Sequence, residues 1–129
     1  MNRKGFTLVE IMIVVAIIAL LAAIAIPNLL RAKISSNDAL AKSTLRTLST
    51  ASETFATASN GNYPANVTSL TGATPAAYVN KNYCNTTAAG FNYTCTFDAG
   101  YYTFTATPVT VGTSGTTTFT ITTGGILTP

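Results

Sequence analysis

One carboxylate stands where carboxylates are rare. Glu10 is the only charged residue between Phe6 and Ile26, in the apolar run FTLVEIMIVVAIIALLAAIAI that Pro27 closes. A charged side chain inside so apolar a stretch is costly in lipid and marks a functional position by default. Two chemistries are open to it. Lying one turn into a helix, it can reach the membrane interface and complement the positive end of the helix dipole. Alternatively it pairs with a cation. A cut after Gly5 creates an α-amino group on Phe6, and in a low-dielectric core of stacked helices that ammonium and the Glu10 carboxylate neutralise each other. Phe6 and Glu10 are four residues apart, so the amine belongs either to the same chain or to a neighbour.

The other chemistry-bearing residues are few. The chain has no His and no Trp, its four acids are scattered, and beyond residue 60 Asp98 is the only one. No catalytic set is visible, no glycine-rich phosphate loop follows a strand, and nothing completes a metal site, so neither an enzyme nor a cofactor is expected. Cys84 and Cys95 form an even pair, which suggests one disulfide made outside the cytoplasm or, failing that, two buried thiols. The formal charge of +3 includes Arg3 and Lys4; without residues 1–5 the count is five basic against four acidic side chains. That balance carries no nucleic-acid footprint, which requires a clustered basic face.

These residues need elements to hold them. At about 1.5 Å per residue, a helix over Phe6–Ile26 spans roughly 31 Å, the thickness of a bilayer's hydrocarbon core. MNRKG before it reads as a short basic leader, residues 1–5, cut after Gly5 so that the apolar helix is retained. Arg3 and Lys4 then fix the N-terminus on the cytoplasmic side, with everything after Pro27 outside. Pro27 costs the helix a hydrogen bond, yet the helical pattern resumes: Leu30, Ile34, Ala41, Leu45, Leu48 and Phe55 fall on one stripe, with Arg31, Lys33, Asp38, Lys42, Arg46 and Glu53 between them. The expectation is one long kinked helix, membrane-spanning over 6–27 and amphipathic over 28–59, stopped by Ser59-Asn60-Gly61-Asn62-Tyr63-Pro64.

From residue 60 to 129 the composition favours a small head. Period-two alternation over 91–97, 101–107 and 116–122 sets Phe91, Tyr93, Cys95 and Phe97, then Tyr102, Phe104 and Ala106, then Phe119 and Ile121 on an apolar face. Asp98-Ala99-Gly100 and Gly112-Thr113-Ser114-Gly115 read as the turns. This predicts a three-stranded antiparallel meander covered by the helix stripe, an α+β fold. Residues 65–90 read as loop, with one short helix near Pro75–Val79 and a Cys84–Cys95 bridge tying the loop to the first strand.

Gly5-Phe6-Thr7-Leu8-Val9-Glu10 with IMIVVAIIALLAAIAIP closely resembles the N-terminus of type IV pilins and of the related pseudopilins of type II secretion. The resemblance covers about the first 35 residues. It implies that a prepilin peptidase cuts after Gly5, that the same enzyme methylates the Phe6 nitrogen, and that Glu10 serves subunit registration during assembly. It also implies that Pro27 marks a kink below a stretch that unwinds in filaments. Where many members carry a mid-run glycine this chain has Ala19, about 1 kcal/mol more helix-favouring, which weakens that last expectation. A half-buried helix on an antiparallel sheet, often with a disulfide, is the family's head.

The resemblance implies a major structural subunit of a type IV pilus: an inner-membrane precursor exported by the pilus assembly machinery into a helical homopolymer on the cell surface, for adhesion or motility. The alternative is the major pseudopilin of a type II secretion system. Gly61-Asn62-Tyr63-Pro64 resembles the latter, but pseudopilins usually carry distal calcium-binding acids and lack the cysteine pair. A DNA-capturing minor pilin would want a basic, aromatic head, yet Lys81 is the only basic residue beyond residue 60.

Overall fold

The structure is a computed structural model that describes residues 5–72 and 76–129. Most of the expected leader, with Arg3 and Lys4, lies outside the described residues. The molecule divides into two compact units, one ending at Lys33 and one from Ile34 to Pro129. Helix α1, Leu8–Ala58, holds Pro27 in its interior. It continues through the proline because φ near −65° suits a helix and only one backbone bond is forfeited. By length and composition its N-terminal part suffices to cross a membrane, and its apolar side chains there are exposed.

In the second unit α1 buries Ala41, Thr44, Leu45, Leu48, Ser49, Ala51, Ser52 and Ala56. The predicted stripe therefore needs trimming. Leu30 falls in the first unit and is 39% exposed, while Ile34 and Phe55 are half-buried. Small polar residues complete the buried face. Ser52 satisfies its hydroxyl on the Leu48 carbonyl at 3.0 Å, which lets a polar residue sit at the centre without loss.

The sheet has five antiparallel strands, not three: β1 Thr86–Ala88, β2 Phe91–Phe97, β3 Tyr102–Pro108, β4 Phe119–Thr122 and β5 Ile126–Thr128, in the order β1-β2-β3-β4-β5. The three predicted strands and their inward faces are present, and each edge gains a three-residue strand. Strands that short carry too little alternation to be read from sequence; their turns were the available signal. Ala89 and Gly90 both take positive φ, the type I′ geometry that matches strand twist and joins β1 to β2. A Cβ on Gly90 would also lie 2.7 Å from Ser114 Cβ. Phe91, Tyr93, Tyr102, Phe104, Phe119 and Ile121 pack on Ala41, Leu45, Leu48 and Leu70 to make one core.

The connection before the sheet contains a short helix, α2, at Val67–Thr71, capped by the Asn66 side chain accepting the Ser69 N–H at 3.0 Å. The helix expected near Pro75–Val79 is not there: residues 73–75 lie outside the described residues, and 76–79 are not helical. Cys84 and Cys95 are joined, with Cα atoms 5.4 Å apart, and the bond ties the segment before β1 to β2. Closing a loop of this length is worth about 3 kcal/mol on the chain-entropy account. Cys84→Ser with Cys95→Ser is accordingly expected to lower the denaturant midpoint of the head by that equivalent. An unchanged midpoint under reducing and oxidising conditions would contradict it.

Candidate functional site

Helix α1 begins at Leu8, so Gly5, Phe6 and Thr7 precede it as non-helical backbone. Phe6 is 84% exposed and nothing lies within 4 Å of a Cβ built on Gly5. The Gly5–Phe6 peptide is therefore open and unwound, the state a protease needs to reach a peptide bond.

Thr7 is the N-cap and Glu10 the third helical residue, and the two cap each other. Thr7 N–H donates to Glu10 Oε2 at 2.8 Å, Thr7 Oγ1 donates to the same oxygen at 2.7 Å, and Glu10 N–H approaches Thr7 Oγ1 at 3.2 Å. This is a reciprocal capping box, which satisfies two helix-end donors at once. Thr-x-x-Glu before an apolar run is the sequence signal for this box, and it adds Thr7 to the expected position of Glu10 one turn into the helix. In this structure Glu10 is thus held by Thr7, and the Phe6 nitrogen is a peptide amide. Pro27 stands inside α1, and the cysteines are joined in the head.

Two further acids have work that the sequence did not reveal. Asp38 accepts Thr116 N–H at 3.0 Å and Thr116 Oγ1 at 2.7 Å, and neighbouring Asn37 donates to the Ser114 carbonyl at 2.8 Å. Together they fasten the β3–β4 loop to α1. At the other end of the core, Glu53 accepts from Tyr102 Oη at 2.8 Å, Tyr63 Oη at 3.0 Å and Gly124 N–H at 2.8 Å. Tyr102 spends its only proton on Glu53, so Ser49 is the donor in its 2.7 Å contact with Tyr102. Burial pushes the Glu53 carboxyl up, but the three donors outweigh it and hold it below the usual carboxylate value. Burial, opposed by Ser49 and reinforced by Glu53, pushes the Tyr102 hydroxyl up to about 12. Apart from Tyr63–Glu53, ten residues apart, these pairings cross more than forty residues of chain, and no local pattern announces them.

Comparison with known proteins converges on the N-terminal segment. The family model for the prokaryotic N-terminal methylation motif matches residues 1–26. The chain is 54% identical over 54 residues to the type IV major pilin protein PilA of Myxococcus xanthus, covering 42% of this chain and 24% of that protein. It is 65% identical over 37 residues to the type IV wide pilus major component PilA4 of Thermus thermophilus, covering 29% of this chain and 28% of that protein. The chain thus matches about a quarter of the length of these curated relatives. No solved structure matches it. With an exposed Gly5–Phe6 bond and a capped apolar helix behind it, the N-terminal part of the chain carries the prokaryotic methylation motif and is similar to that of type IV pilins.

Proposed function

We propose that the chain is the major structural subunit of a type IV pilus and works by polymerising. The methylation motif, placed at the start of an exposed apolar helix, carries this reading. A prepilin peptidase cuts after Gly5 and methylates the new Phe6 nitrogen. The precursor waits in the inner membrane as a single-pass protein with its head outside. In the filament the same helix leaves lipid and packs on its copies, where Ala16, Ala19, Ala22, Ala23 and Ala25 allow close backbone approach. The chain has a structural role on this reading, not a catalytic one.

Gly61-Asn62-Tyr63-Pro64 favours a second reading, the major pseudopilin of a type II secretion system. That segment has a structural use in the head, since the Tyr63 ring meets Tyr102 edge-on at 5.3 Å and its hydroxyl donates to Glu53. The Cys84–Cys95 bond supports the pilin. Electron microscopy of cells labelled with antibody against residues 60–129 separates the two. Label along fibres extending far beyond the envelope is expected; label confined to the periplasm would favour the pseudopilin.

A further inference from the structure

A homopolymer has to find both halves of every charged contact within one sequence. In the second unit, two of the three acidic side chains are used internally: Asp38 by Thr116, and Glu53 by Tyr102, Tyr63 and Gly124. Asp98 is exposed at the β2–β3 turn, where its backbone N–H, not its carboxylate, makes the bond, to the Tyr101 carbonyl at 2.9 Å. The matching excess of positive charge lies elsewhere. Lys42 and Arg46 are exposed four residues apart on α1, hence on one helix face, and both line a groove of about 260 Å³ walled by Phe119 and Leu127. Lys42 Nζ sits 4.7 Å from the Phe119 ring centroid, which leaves Arg46 to present its guanidinium.

We propose that this groove receives the β2–β3 turn of a second copy of the chain, with Asp98 against Arg46. This rests on the filament reading above. Three observations favour that occupant. The charges are opposite, and a guanidinium fork suits a carboxylate. The turn is preorganised, since Tyr63 N–H donates to the Ala99 carbonyl at 3.2 Å, so little ordering is lost on docking. Beside Asp98, Tyr101 stands 49% exposed and offers an aromatic face to arginine. Groove and turn are also different surfaces of one head. Such a heterologous contact, repeated, gives an open helical polymer instead of a closed dimer.

The test uses the full-length chain in its assembling cell, with filaments sheared from the surface and weighed against total subunit. Arg46→Asp and Asp98→Arg each place like charges face to face and are expected to cut yield at least about tenfold, while the combined swap restores most of it. Lys42→Gln, which only weakens the field, is expected to make filaments more easily dissociated by salt. All three positions of change are exposed, and an unaltered Cys84–Cys95 bond and membrane level of the subunit report that the head still folds. Single reversals that assemble like the parent, or a combined swap that stays as poor as either single, overturn the contact while leaving the filament reading intact. Absence of filaments from the parent chain itself overturns both. A filament map with another segment of the neighbouring copy in the groove overturns the contact alone.

Discussion

Replacing Glu10 with alanine is expected to leave the chain in the membrane and to cut the yield of surface filaments at least about tenfold, as loss of one member of a desolvated charge pair does. Insertion survives because removing a carboxylate from an apolar helix only eases its entry into lipid. Assembly suffers because the ammonium on the freed Phe6 loses its counter-charge in a water-poor core. The capping box makes Glu10→Gln the sharper variant. Glutamine serves at the third helical position of a capping box almost as well as glutamate, so it keeps the Thr7 contacts and removes only the charge. A Gln variant as poor as the Ala variant assigns the effect to charge. A Gln variant with parental yield assigns it to helix capping, and an Ala variant with parental yield removes Glu10 from assembly altogether.

Glu53→Ala is expected to destabilise the head by about 2–3 kcal/mol, because it removes the carboxylate that takes the Tyr102 and Tyr63 hydroxyls and frees the turn at Gly124. The same residue sets an acid limit. Its folded carboxyl lies below the usual value, so its stabilising contribution is complete above the unfolded value of 4.5 and is lost as pH falls through the lower folded value. Tyr102 sets an alkaline limit by the opposite sign. Its folded hydroxyl is raised from 10.0 to about 12, so its contribution is complete below 10.0 and is lost as pH rises toward 12. Thermal melts of the detergent-solubilised chain across pH check both limits. Glu53→Gln should flatten the acid side, and an acid slope that is unchanged in that variant would contradict the assignment.

What could be read from sequence follows the range of the interactions. The long helix, its passage through Pro27, its end at Ala58 and the inward faces of β2, β3 and β4 all express local periodicity, and all are present. The edge strands β1 and β5 have three residues each, too few for alternation to stand out, and only the Ala89-Gly90 and Gly124-Gly125 turns hinted at them. Thr44, Ser49 and Ser52 lie outside the apolar stripe the sequence shows, because burial of small hydroxyls depends on partners such as Tyr102 that lie far along the chain. Asp38 and Glu53 read as solvated charges for the same reason. The Thr7–Glu10 capping box lies within one helical turn, and Thr-x-x-Glu before the apolar run is its local signal.

On the filament reading one helix has two environments, lipid before assembly and copies of itself afterwards. A side-chain-resolution electron cryomicroscopy map of sheared surface filaments, with mass spectrometry of the subunit, addresses this directly. The predicted result is a chain that starts at N-methylated Phe6, with the Phe6–Ile26 segments of neighbouring copies packed in the centre and Glu10 beside an α-amino group. Filaments whose subunit retains residues 1–5, or whose apolar segments lie apart from one another, would contradict it.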